Sequence, residues 1–195
     1  MNIEKTVRSL ELRGFKVSRF ATGKEAADYL AGALKGQTVG IGGSKTVDQI
    51  GLYDMLEEGS AFWHWRVPGD ATYAAAATAQ VYITGANAIS EDGEILNIDG
   101  RGNRLSGQLF GHKKVYVVSS VSKICPDFES ALYRARNTAA TENVKRFPYD
   151  VPCKLDGKCH DCRSPQRVCN ALVVLWAPMM GMETEIVLID EKLGM

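Results

Sequence analysis

The chain carries no net charge: over 195 residues, 23 Lys plus Arg offset 23 Asp plus Glu. Without an excess of either sign there is no electrostatic case for nucleic acid or an anionic membrane as partner. No apolar run approaches the roughly 18 residues of a membrane span. The first residues, Met-Asn-Ile-Glu-Lys-Thr-Val, carry an acid and lack the apolar stretch of a secretory signal. The expectation is a cytoplasmic protein. The Gly-x-Gly-x-x-Gly fingerprint of a flavin or nicotinamide site is missing, and so is calcium-loop spacing. No repeat, low-complexity tract or linker divides the chain. A single domain over residues 1–195 follows, long enough to bury a sizeable core. The 5 cysteines are an odd number, and four crowd near the C-terminus. In a cytoplasmic chain this favours metal binding or redox chemistry over a disulfide framework.

Two small-residue loops stand out. The run Gln37–Ile41 ends in Gly42-Gly43-Ser44, and Val81–Thr84 ends in Gly85-Ala86-Asn87. Each is an apolar, β-branched segment closed by residues that let a ligand come near, with a helix-like segment soon after. In an α/β protein such loops lie at strand C-termini, where free backbone N–H groups hold anions. A small anionic molecule is therefore the expected partner.

The remaining periodicity fits that class. Helices are expected over 2–13, over 23–35 behind a Thr22 cap, and from about Thr46 to Glu58. Others are expected over Ala71–Ala79, over 101–109, and from Pro126-Asp127 to about Asn137. Strands are expected over 15–20, 37–41, 60–65, 81–84, 114–120, 171–176 and 185–190, with 114–120 central. Glu91-Asp92-Gly93-Glu94 reads as a hairpin turn. Alternation of helix and strand predicts an α/β fold with a mostly parallel sheet covered on both faces.

Several clusters could carry chemistry. Gly42, Gly43, Ser44 and Thr46 read as a phosphate or carboxylate cradle, or as a plain turn with Ser44 or Thr46 as helix cap. Asn87, Glu91, Asp92, Asn97, Asp99 and Asn103 read as a polar pocket wall, or as turn formers. Of these, Asn87, Asn97 and Asp99 are the expected ligand-facing residues. Lys123 follows a strand and is expected at the same crevice, against the plain reading of a solvated loop lysine. His64 sits between large aromatics as a packed histidine, and His112 reads as a surface residue. The strongest local signal is Cys153-x5-Cys159-x2-Cys162-x6-Cys169, on a loop over about 152–170. Four thiols at this spacing suit tetrahedral zinc or an iron–sulfur cluster, with His160 as a substitute ligand. Free thiols are the plain alternative. Cys125 is not part of the set.

Val81–Arg104, with Gly40-Ile-Gly-Gly-Ser-Lys-Thr-Val47, Lys113–Val118 and Lys123-Ile-Cys-Pro-Asp127, resembles the LUD family of lactate-utilisation, LutC-like proteins. Pro152-Cys153 to Cys169-Asn170 is similar to the cysteine-rich tail of one branch. The resemblance implies the fold of ribose-5-phosphate isomerase, glucosamine-6-phosphate deaminase and CoA transferases. It adds Gly85 and Ala86 to the ligand loop. It implies a role in lactate oxidation beside iron–sulfur partner proteins, and so favours an iron–sulfur cluster over zinc at the cysteines. Where sugar-phosphate isomerases carry Gly-Ala-Asp this chain has Gly85-Ala86-Asn87, and Asn exchanges no proton at neutral pH. Ser90-Glu91-Asp92-Gly93 loosely resembles the Ser-Glu-Asn-Gly run of CoA transferases, where Glu is the nucleophile. A stand-alone transferase or isomerase would need Glu91 or Asp99 in the crevice. A non-enzymatic binding or regulatory protein is the remaining reading.

Overall fold

The computed structural model describes residues 1–195. The elements in chain order are α1 (Ile3–Leu12), β1 (Lys16–Phe20), α2 (Gly23–Ala33), β2 (Val39–Ile41), α3 (Lys45–Gln49), β3 (Ala61–Trp63) and α4 (Asp70–Thr78). They continue with β4 (Val81–Gly85), β5 (Ala88–Ser90), β6 (Ile95–Asp99), α5 (Asn103–Leu109), β7 (Lys114–Ser120), β8 (Ile124–Cys125) and α6 (Phe128–Arg134). The last are α7 (Ala140–Val144), α8 (Cys153–Asp156), β9 (Ala171–Leu175) and β10 (Glu183–Ile189). Local chemistry sets several of the starts. The Asn2 side chain accepts from Lys5 N ahead of α1, and Thr22 and Glu25 form a reciprocal capping box on α2.

Six strands form a wholly parallel sheet in the order β1-β10-β7-β4-β2-β3. Alternate residues of β7 face opposite sides. Tyr116 and Val118 pack with Leu30, Val47 and Ile83 under α2 and α3, while Val115 and Val117 pack with Leu10, Tyr82 and Ile89 on the other face. Both faces are thus covered, which is what a parallel sheet needs to bury its apolar strands. Gly40 in β2 lies so close to α4 that a Cβ there would collide with the Ala76 carbonyl. The small residues of α4 and this glycine are two halves of one tight contact.

Three departures from the sequence expectations are informative. A second, four-stranded sheet, β8-β5-β6-β9, stands beside the first. Its β9 runs antiparallel to the hairpin arm β6, so Ala171–Leu175 does not extend the parallel sheet. The helix expected from Thr46 to Glu58 breaks early: α3 ends at Gln49, Gly51 takes φ +69°, and Leu52–Met55 is a 3₁₀ turn. The helix starting after Asp127 passes Asn137 through a π-turn at Ala135–Ala139 and runs on to Val144. Such π-turns recur at functional sites, and this one places Ala139 and Ala140 against the cleft described next.

Candidate functional site

All six strands of the parallel sheet end at one edge, and β2, β4 and β7 are neighbours there. Their following loops, Gly42–Ser44, Ala86–Asn87 and Val121–Lys123, therefore meet. Ser44 and Asn87 line one cleft of about 640 Å³. A Cβ on Gly85 would stand 2.5 Å from Ser44 Oγ, so glycine is what lets the two loops touch. Ser44 Oγ accepts from Val47 N at 3.3 Å and caps α3. That helix has five residues, too short for its N-terminus to serve as an anion site by itself. The charged groups at the cleft are side chains.

Lys123 is 5% exposed and lines the cleft. Its Nζ donates to Thr46 Oγ1 at 2.8 Å and to the Ala86 carbonyl at 3.3 Å, and no carboxylate pairs with it. Burial, then the nearby Arg134 and Arg104 cations, lower its pKa to about 7. The ammonium and free amine are both populated at neutral pH. Arg134, itself half-buried, donates to the Asn87 carbonyl and at 2.7 Å to the Met195 carbonyl.

The second sheet supplies the facing wall. Asp99 at the end of β6 accepts from Arg101 N at 3.2 Å and Arg104 N at 3.1 Å, and lies 3.4 Å from Arg104 Nε. The Arg104 guanidinium also donates to the Ile98 carbonyl at 2.5 Å. Asn87 ties the two sheets together: its Oδ1 accepts from Ile98 N at 2.6 Å, and its own N–H donates to Asn97 Oδ1 at 3.1 Å. The aromatic side of the cleft comes from the residues after β3 and from α4, where His64 stacks on Tyr73 at 4.6 Å. Burial, then Arg101, holds the His64 imidazole below its ordinary pKa, so it is neutral at pH 7.

Of the candidate ligand residues singled out from sequence, Gly43, Ser44, Gly85, Ala86, Asn87, Asp99, Asn103 and Lys123 line the cleft. Five do not. Asp92 pairs with Lys5 at 2.8 Å. Gly42 is hemmed in by Arg104 and the Tyr82 hydroxyl. Thr46 is fully buried and bonds Lys123 from behind. Asn97 is fully buried, its amide donating to Gln108 Oε1 at 3.0 Å. Glu91 lies elsewhere, at the start of α1: it accepts from Asn2 N at 2.6 Å and lies 3.8 Å from Lys5 Nζ. The hairpin turns it away from the strand ends, so the proposed nucleophile does not face the crevice. His112 is likewise not a surface residue; it is buried, 4.9 Å from Tyr82 in a stacked pair, with Nδ1 on the Ala79 carbonyl. The sequence reading missed Arg101, Arg104, Arg134, Arg146 and Trp65. The run Gly100-Arg-Gly-Asn-Arg104 directly after a strand was the available signal for two of them.

The four C-terminal cysteines, all free, line a second cavity of about 350 Å³. Two arginines hold this loop. Arg136 donates to Cys159 Sγ at 3.5 Å, and Arg167 donates to the carbonyls of Cys162 at 2.8 Å and Cys169 at 2.9 Å. Arg167 Nε is buried with no partner. Burial, and then its neighbouring thiols, push the Cys153 thiol pKa up. The thiols share a cavity without converging on one point: no three His, Cys, Asp or Glu side chains stand close enough to hold one metal ion. His160 instead pairs with Asp156 at 3.1 Å. Arg167, Val168 and Asn170 line both cavities, so the cysteine loop forms part of the cleft wall.

A parallel sheet with its C-terminal loops opening on a cation-lined cleft, roofed by a smaller mixed sheet, defines an α/β protein with its cleft at the strand C-termini. Residues 3–189 match the model of the LUD domain, and the chain belongs to the LUD family. A crystal structure of a DUF162 family protein from Deinococcus radiodurans is similar in fold, with TM-score 0.53 and 14% identity over 97% of this chain and 99% of that one. No curated protein matches. No helix is long and apolar enough to cross a membrane.

Proposed function

We propose that the cleft binds a small carboxylate- or phosphate-bearing molecule, and that the chain is a component of a lactate-oxidising system with iron–sulfur partner proteins. One observation carries the binding half: Lys123 is buried at the meeting point of three loops with two arginines nearby and no counter-ion. A buried cation without an anion is costly, and an anionic ligand at this point removes that cost. Lys123 Nζ, with a pKa of about 7, can give a proton to a bound hydroxy acid or take one from it. Membership of the LUD family supports the lactate half.

Cys153, Cys159, Cys162 and Cys169 would hold the metal group, which would supply one-electron chemistry. A single zinc needs its sulfurs about 2.3 Å from one centre; here the thiols are spread round a cavity and no three can hold one ion. A multi-iron cluster spreads its cysteine ligands further apart. The cations Arg136 and Arg167 offset the negative charge of four thiolates. This donor set fits a cluster better than zinc.

The transferase or isomerase reading finds less support. Its candidate acid Glu91 is remote, and Asp99 is held by two backbone amides and Arg104. Calorimetry tests the anion site: Lys123→Met should lower affinity for inorganic phosphate or L-lactate at least tenfold while circular dichroism stays native. Wild-type affinity in a folded Lys123→Met protein overturns the reading.

A further inference from the structure

We propose that the cleft is built for a polyanion carrying a planar ring, a ligand of the nucleoside diphosphate class, and not for a three-carbon hydroxy acid alone. The proposal rests on the anion-site reading above and names the ligand more narrowly.

Charge is the first ground. Six cationic side chains line the cleft and Asp99 is the one acidic side chain among them. Lys45 is taken up by Asp48 at 2.7 Å, and Arg104 by Asp99. Arg101, Lys123, Arg146 and Arg167 have no carboxylate partner; they rest on rings, hydroxyls, an amide and backbone carbonyls. In a chain of zero net charge this is a strong local excess. A concave, low-dielectric wall focuses such a field on a multiply charged anion. One carboxylate answers one of these cations; a diphosphate answers several.

Size is the second ground. A cleft of about 640 Å³ falls within the roughly 300–1,000 Å³ usual for cofactor-sized ligands. Lactate would leave most of it empty.

The third ground is the aromatic wall. Arg146 lies over the Trp65 ring at 4.0 Å, and Arg101 over Tyr73 at 4.5 Å. Each guanidinium covers a ring face without a carboxylate to anchor it. Turning either one toward a phosphate uncovers a ring face for a base to stack on. Ring and phosphate sites are thus coupled: the group that leaves the ring is the group that grips the anion.

The test is calorimetry on the full chain with ADP, pyrophosphate, adenosine and L-lactate, together with tryptophan emission. ADP should bind at least tenfold more tightly than each of the other three and should quench tryptophan emission by stacking its base on Trp65, well beyond the change pyrophosphate causes by drawing Arg146 off that ring. Trp65→Leu should weaken ADP about tenfold and leave pyrophosphate within twofold. Arg101→Gln with Arg146→Gln should weaken both. The emission change in the wild type stands as evidence should Trp65→Leu fail to fold. If lactate or pyrophosphate binds as tightly as ADP, the ring-and-polyanion proposal is overturned while the anion site survives. If none of the four binds, both fall.

Discussion

Replacing Lys123 by Met should stabilise the protein at acid pH and not at alkaline pH. The reasoning is linkage. Lys123 titrates near 7 in the folded protein and at its ordinary 10.5 when unfolded. Between these values the unfolded chain binds more protons, so stability rises with pH across that window. Below pH 7 the lysine is charged in both states and the cost of its burial is felt in full. At 1.36 kcal/mol per pH unit, a gap from about 7 to 10.5 amounts to about 5 kcal/mol. Methionine has nearly the same length and no charge, but it strands the Thr46 hydroxyl and the Ala86 carbonyl, at about 1 kcal/mol each. The net expectation at pH 6 is a gain of about 3 kcal/mol. At pH 9.5 most of the wild-type cost has been relieved, and the variant should be no more stable than wild type. Urea unfolding of both proteins at the two pH values measures the swing. A difference between variant and wild type that stays the same at pH 6 and 9.5 would falsify the buried-ammonium argument, whatever its size. The same chemistry predicts proton uptake on phosphate binding at pH 8, because an anion beside Lys123 restores its charge. Binding heats in buffers of different ionisation enthalpy report that uptake.

Asn87→Ala should cost about 1–3 kcal/mol of stability by leaving the buried Ile98 N–H without its acceptor; Asn87→Asp keeps the acceptor, and equal loss in both variants would contradict the assignment. Gly40→Ala should cost about 3 kcal/mol or more, since the new methyl meets the backbone of α4, which cannot swing aside; thermal unfolding that shows no change would mean that the contact relaxes. Glu91→Gln should leave phosphate affinity at the wild-type value, because Glu91 serves the start of α1; a tenfold loss would bring the nucleophile reading back. Protein made with iron and sulfide, under exclusion of oxygen, should show charge-transfer absorption that disappears in the variant with all four of Cys153, Cys159, Cys162 and Cys169 changed to Ala. A colourless protein with one zinc per chain would sink the cluster proposal.

Much of the frame is written locally. Thr22 and Glu25 announce a helix start, β-branched runs announce β4 and β7, and Glu91-Asp-Gly-Glu94 announces the hairpin. These signals act over a few residues, through caps, pleat and turn geometry. The two small-residue loops were legible for the same reason, since each follows its own strand.

What the local signal does not carry is which strands neighbour each other. The order β7-β4-β2 brings Lys123, Asn87 and Ser44 to one cleft, and that order depends on packing of both sheet faces across the whole chain. The same holds for Glu91 and Asn87. They lie four residues apart, yet the hairpin sends one to α1 and the other to the cleft. The second sheet, the burial of Lys123 without a counter-ion, and the guanidiniums laid on Trp65 and Tyr73 join residues far apart in sequence. The sequence by itself determined the α/β class, most element positions and the clustering of four thiols on one loop. Only the tertiary structure decided which polar side chains line the cleft, because burial and charge environment depend on distant segments meeting.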